Sequence, residues 1–285
     1  MLKIERFEVL YSQGTAERIE DGLITNPPFF GVIDGLSAPY HYKMEPIRFD
    51  GMSGGEMVRK VVLETFSAAN PSLPLEEVSL QANQKIKEFQ VARGIPIERS
   101  DLLAGACFAF AKLGIRTFEL IQGGDCFGVW VYKNGEIGVT KNQAYLHVSE
   151  NLRIIAEIMR RVNWNRNEMW VEFFPILSKF RLRDINQKTR TGYALLNGQS
   201  TIKKCWQKIT IPVAGLEFLI LFTDGLIWYP ESVDEKKMVE KVVSAYEKWG
   251  LRGVLNEKRR TEKKNAKTLY IDRDEATAIA IEFGV

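Results

Sequence analysis

The sequence is short of the residues that carry redox and nitrogen-ligand chemistry, with three cysteines and two histidines in 285 residues. Cys107, Cys126 and Cys205 form an odd, sparse set without a CxxC pair or zinc-type spacing. That excludes a disulfide framework and a cysteine zinc site, and predicts reduced, mostly buried thiols in a cytoplasmic protein. No run is long enough to span a membrane, and the opening Met1-Leu2-Lys3-Ile4-Glu5-Arg6-Phe7 lacks the apolar core of a signal peptide. There is no low-complexity linker, no proline- or glycine-rich hinge and no internal repeat, so one domain is expected over 1–285. Charge of one sign is also missing. Lys+Arg 39 against Asp+Glu 36 gives a net charge of +3, which argues for neither nucleic acid nor membrane as a partner.

What the chain does have is 45% hydrophobic residues, arranged in two very apolar runs that each end in Asp-Gly. They are Phe29-Phe30-Gly31-Val32-Ile33-Asp34-Gly35 and Phe218-Leu219-Ile220-Leu221-Phe222-Thr223-Asp224-Gly225. Such runs read as fully buried strands. A carboxylate at the end of one is poorly solvated unless something neutralises it, and two in like contexts point to a shared cation. Asp-Gly is also a turn signal, and the chain has two more, Asp21-Gly22 and Asp50-Gly51. The dipeptide alone therefore decides little.

Alternation of Leu2, Ile4, Phe7 and Val9 predicts a strand over 2–10. Residues 36–52 read as a loop. Ser53, with Glu56 three residues on, predicts a capped helix from about Gly55 to Ala69, and a second helix follows Pro74. Strands are expected at 103–112, 115–122, 126–132 and 136–140, with an Asn134-Gly135 hairpin turn, forming an antiparallel meander. Leu152, Ile155, Ile158 and Met159 suit a short helix, and Trp164, Trp170, Phe173, Phe174 and Phe180 read as an aromatic core cluster. Strands return at 204–212 and 217–223, helices at 232–248 and 250–262, and a last strand at 276–283. The charged stretch 257–264 reads as a solvated helix end. Grouped strands and grouped helices predict an α+β domain of antiparallel sheets covered by helices.

Four acidic clusters lie beside strand ends: Glu20-Asp21, Asp34, Asp224 and Asp272-Arg273-Asp274-Glu275. Carboxylates without cysteine or histidine suit hard, oxygen-preferring cations such as Mg²⁺ or Mn²⁺. In order along the chain, Glu20-Asp21, Asp34-Gly35, Ser53-Gly54-Gly55-Glu56, Gly105-Ala106, Gly124-Asp125, the Phe218–Leu226 segment and Asp274-Glu275-Ala276-Thr277 resemble the motifs of the metal-dependent PP2C-type serine/threonine protein phosphatases.

The resemblance implies an αββα sandwich with a two-metal site at one end. Asp34 would serve both metals, Asp224 and Asp274 one of them, and Glu20 with the Gly35 carbonyl the other. Asp21 would hold metal-bound waters, and Asp125 matches a position that helps a third ion bind in some members. Asp34 and Asp224 would carry catalysis: hydrolysis of phosphoserine or phosphothreonine on a phosphoprotein by a water bridging two cations. The sequence contains no cysteine-phosphatase loop and no phosphate-binding GxxxxGK[ST] motif that would offer another route.

The sequence departs from the pattern where the phosphate should be held. Ala16 stands at the usual arginine, leaving Arg18 as the substrate-binding candidate, and Leu36 opens the 36–52 insertion, whose His41 reads first as a structural or exposed loop histidine and second as a stand-in for the usual proton donor. These departures motivate two alternatives, a catalytically weak pseudophosphatase that binds phosphoproteins and a two-metal hydrolase of small phosphate metabolites.

Overall fold

The computed structural model describes residues 3–37, 47–228, 235–265 and 274–284. His41, Asp272 and Arg273 lie outside them. Ten strands form two five-stranded sheets, antiparallel throughout. One runs β1 (Lys3–Ser12), β10 (Ala276–Gly284), β9 (Leu216–Phe222), β6 (Phe127–Tyr132), β7 (Ile137–Val139). The other runs β2 (Gly22–Asn26), β3 (Phe29–Leu36), β4 (Gly105–Leu113), β5 (Thr117–Gly123), β8 (Gln207–Pro212).

The continuous apolar runs have a simple cause: β3, β9 and β10 are buried on both faces. Phe30, Val32, Leu219, Leu221, Ile279 and Ile281 meet between the sheets. Phe29 and Ile33 face α1 (Gly54–Ser67) and α2 (Leu75–Ala92), while Phe218, Ile220 and Phe222 face α5 (Glu235–Asn265). The layers are therefore helix, sheet, sheet, helix, which is the αββα expectation. Ser53 caps α1 with both halves of the capping box formed. Gly250, at φ 66°, breaks α5 near the predicted boundary between its two helical halves.

Three expectations need correction. The strands from 103 to 140 are not one meander: β4 and β5 belong to one sheet, β6 and β7 to the other. The chain changes sheet at Gly124-Asp125-Cys126, because the edges of β6 hydrogen-bond to β9 and β7 rather than to β5, while its two faces pack toward α5 and toward the other sheet. The short helix is instead two long ones, α3 (Tyr145–Arg161) and α4 (Arg166–Asp184), with a small core of their own that includes Ile158, Met169 and Phe173. Trp164 is not in that core; it sits in the turn between the helices at φ 63° and is 64% exposed. Finally, Lys258 and Glu262 are each only 6% exposed, so the charged end of α5 is not simply a solvated face. The cysteines carry no disulfide, with Cys107 and Cys126 buried. Among the described residues, no helix is long and apolar enough to cross a membrane.

Candidate metal centre

The period of two along β3 sets Asp34 on the face that Phe30 and Val32 turn toward the other sheet. It pairs across the ladder with Cys107 of β4. Asp224 follows directly on Thr223 at the end of β9, in a single 3₁₀ turn over Asp224–Leu226. Asp274 and Glu275 stand just before β10. All three meet in a cleft of about 400 Å³ lined by Thr15, Ala16, Glu20, Asp21, Asp34, Gly35, Asp224, Asp274 and Glu275. A larger cavity, about 820 Å³, lies away from these residues beside Trp249 and Gly250.

The glycines after Asp34 and Asp224 are required by close approach of backbone rather than by a left-handed conformation. A Cβ on Gly35 would lie 2.6 Å from the Glu20 carbonyl oxygen, and one on Gly225 would lie 1.7 Å from that of Glu275. Asp50-Gly51 differs, as both residues are left-handed (φ 52° and 86°) in a turn closed by the Phe49–Met52 bridge.

Side chains tie the acidic segments to one another. Glu275 Oε2 accepts the backbone N–H of Glu20 at 2.8 Å and of Asp21 at 3.1 Å, and its Oε1 accepts the Tyr11 hydroxyl at 2.7 Å. Thr223 donates its hydroxyl to Asp21 at 2.9 Å and accepts the Thr277 N–H at 3.0 Å. Glu20 Oε1 accepts the hydroxyls of Ser37, at 2.5 Å, and Ser53. Asp125 does not line the cleft; it lies where the chain changes sheet, 8% exposed and near enough for its charge to act on Asp34 and Asp224. Gly124 at φ 75° shapes that crossing, and Gln143 N–H and Gln122 Nε2 donate to its carbonyl at 3.0 and 2.9 Å.

The electrostatics are those of unneutralised anions. Burial pushes Asp34 well above the ordinary carboxylate range, and the charges of Asp21, Asp224, Asp125 and Asp274 push the same way. Asp224 is raised by burial and then by Asp125, Asp274 and Asp21, with Lys258 opposing. Asp21 is pushed up to about 7, mainly by burial, against hydrogen bonds from neighbouring threonines. Burial raises Asp125 as well.

Among the described residues nine line the cleft, of which six are acidic and none is basic. Oxygen donors and uncompensated negative charge fit a hard divalent cation. Among the described residues no three acidic, histidine or cysteine side chains converge as a ready-made shell.

Of the residues expected from sequence, the fold brings Glu20, Asp21, Asp34, Gly35, Asp224 and Asp274 to one cleft and leaves Asp125 outside its lining. It does not bring Arg18 there. Arg18 donates to Glu56 Oε2 at 2.7 Å, the oxygen that also closes the α1 capping box. Sequence reasoning missed the bracing of Glu20 by Ser37 and Ser53 and the anchoring by Glu275. Only the adjacency of Glu275 to Asp274 could have signalled the second.

No family model matches the sequence, and no curated protein matches it. Solved structures do. The catalytic domain of the serine/threonine protein phosphatase PstP, in complex with two manganese ions, superposes with a TM-score of 0.58 at 13% identity, covering 98% of each chain. Serine/threonine phosphatase Stp1 from Staphylococcus aureus gives 0.56 at 12% identity, over 99% of this chain and 96% of its own. The phosphatase MsPP from Mycobacterium smegmatis, bound to cacodylate, gives 0.54 at 15% identity over 99% of each chain. The chain thus has the fold of the PP2C-type serine/threonine phosphatases over nearly its whole length.

Proposed function

We propose that residues 1–285 form one metal-dependent phosphatase domain that hydrolyses phosphoserine and phosphothreonine on cytoplasmic proteins. The observation that carries this reading is a cleft that, among the described residues, has six acidic side chains and no basic one, with Asp34 and Asp224 both at its wall. Mg²⁺ or Mn²⁺ would suit that donor set, and Asp34, Asp224, Asp274, Glu20 and the Gly35 carbonyl would hold two such ions, with Asp125 available to a third. When bound, such ions neutralise phosphoryl oxygens and make water acidic enough to attack phosphorus at neutral pH. The protein's own part is orientation. Thr223 holds one Asp21 oxygen, Glu275 fixes the backbone of Glu20 and Asp21, and Ser37 and Ser53 aim Glu20.

The test is hydrolysis of an aryl phosphate and of a phosphopeptide with Mn²⁺. Activity should vanish in excess chelator and in Asp34→Asn and Asp224→Asn. Full activity in either variant, or with chelator, would sink the mechanism. A panel of phosphometabolites run beside the phosphopeptide separates a small-molecule phosphatase from a protein phosphatase.

A second reading, a pseudophosphatase that binds phosphoproteins with little turnover, is favoured by one specific observation. Ala16 lines the cleft, and Arg18 is engaged by Glu56, so among the described residues no lining side chain offers a cation to the phosphate. A folded protein that takes up phosphopeptide but neither binds Mn²⁺ nor turns over would support it.

A further inference from the structure

The charged end of α5 is drawn into a buried cluster beside the cleft. Glu262 is 6% exposed and receives both neighbouring cations. Lys258 Nζ stands 3.1 Å from its Oε1, and Arg259 Nη1 reaches its two oxygens at 3.0 and 2.9 Å. The second arm of the same guanidinium, Nη2, donates to the backbone carbonyl of Asp274 at 2.7 Å. The spacing of 258, 259 and 262 puts all three within one turn of α5, and one carboxylate between two cations leaves a net charge of +1.

Asp274 and Glu275 precede the first ladder pair of β10, which joins Ala276 to Ser12. Among the described residues no ladder pair includes this dipeptide. Side-chain contacts that anchor it include Glu275 with Tyr11 and the backbone of Glu20 and Asp21, and Arg259 with the Asp274 carbonyl. Five donors in a rigid plane let arginine grip a carboxylate and a carbonyl at once, which the single ammonium of lysine cannot do in the same geometry.

We propose that Arg259, braced by Glu262 and Lys258, is a positioning residue for the metal centre, fixing the segment that presents Asp274 to the cleft. The inference rests on the metal-site reading above. Groups that orient a ligand without touching the ion commonly change metal affinity by about 10- to 100-fold when removed.

The experiment is calorimetric titration of the full chain with Mn²⁺, in wild type, Arg259→Ala, Arg259→Lys, Asp274→Asn and the double variant Arg259→Ala/Asp274→Asn. Arg260→Ala, whose side chain is 69% exposed, is the control. Arg259→Ala should weaken Mn²⁺ binding about tenfold, Arg259→Lys should recover part of that, and Arg260→Ala should change nothing. If Arg259 works through Asp274, the double variant should bind no more weakly than Asp274→Asn alone. A folded Arg259→Ala that binds like wild type, or a double variant that loses a further tenfold, would overturn the inference and leave the metal-site reading standing. Should Arg259→Ala fail to fold, wild-type affinity in Arg259→Lys overturns it equally. Absence of Mn²⁺ binding by the wild type would overturn both readings.

Discussion

Asp21 owes its place to Glu275: one carboxylate oxygen of Glu275 accepts the backbone N–H of Asp21 at 3.1 Å and that of Glu20 at 2.8 Å. A segment just ahead of β10 thereby sets the backbone of two acidic residues more than 250 positions earlier. Glu275→Ala would leave two N–H groups without their charged partner. We expect a loss of about 2–3 kcal/mol in denaturant unfolding and weaker Mn²⁺ binding, with Glu275→Gln losing less of each. An unchanged midpoint in Glu275→Ala would show that the contact carries no stability.

The two kinds of Asp-Gly should respond differently to alanine. At Gly225 the new Cβ would sit 1.7 Å from the Glu275 carbonyl, a backbone clash that no rotamer relieves. Gly225→Ala should cost about 3 kcal/mol or more, or prevent folding. At Gly51, φ is 86° with nothing within 4 Å of the Cβ position. Gly51→Ala should cost only about 1 kcal/mol of left-handed strain. Equal losses in urea titrations would contradict the distinction.

Asp34→Asn should abolish Mn²⁺-dependent activity yet stabilise the metal-free protein, because burial and four neighbouring aspartates all disfavour its charge. A gain of about 1–2 kcal/mol, or roughly 3 °C in melting temperature, is expected without metal. In excess Mn²⁺ the order should invert, since the wild type gains more from binding. A lower melting point for the variant under both conditions would refute this.

Arg18 and Ala16 make a paired prediction. The Arg18–Glu56 bridge is half exposed, with side-chain exposures of 39% and 25%, so Arg18→Ala should cost at most about 1 kcal/mol. It should leave KM for an aryl phosphate within about twofold, because Arg18 does not line the cleft. Ala16→Arg, which puts a guanidinium on the cleft wall, should lower that KM. A large rise in KM for Arg18→Ala would return the phosphate to Arg18.

His147 joins the base of α3 to the end of α4 through a 2.8 Å contact between its Nδ1 and Asp184. Burial lowers its pKa from the ordinary 6.5 more than Asp184 raises it, and Arg181 and Arg183 add to the lowering. Below 6.5 the unfolded chain therefore binds a proton that the folded chain resists. The stability tied to neutral His147 is complete above 6.5 and is lost as pH falls from there through the folded value. His147→Gln should flatten the decline in stability between pH 7 and 5 relative to wild type, which isolates this group from Asp21, titrating near 7 with the opposite sign. Parallel pH profiles for the two proteins would exclude the effect.

Much was legible in the sequence because its causes are local or periodic. Apolar runs announced β3, β9 and β10, Ser53 and Glu56 announced the α1 cap, and the acidic motifs named the residues that line the cleft. Periodicity could not tell that β5 and β6 join different sheets, since both alternate in the same way and only the partner strand differs. Nor could it resolve α4, whose half-exposed residues and internal Pro175 blur the helical pattern, whereas the amphipathic face of α3 is legible in part from Leu152 to Met159.

Residue type and order alone determined that this chain builds buried strands ending in carboxylates. The tertiary structure decided which other groups meet them: Glu275 beneath Glu20 and Asp21, Asp125 where the chain changes sheet, Arg259 on Asp274, and Arg18 turned aside to Glu56. These contacts join residues from 15 to more than 250 positions apart. Nothing in local propensity encodes them, because each depends on where two separately folded segments come to lie.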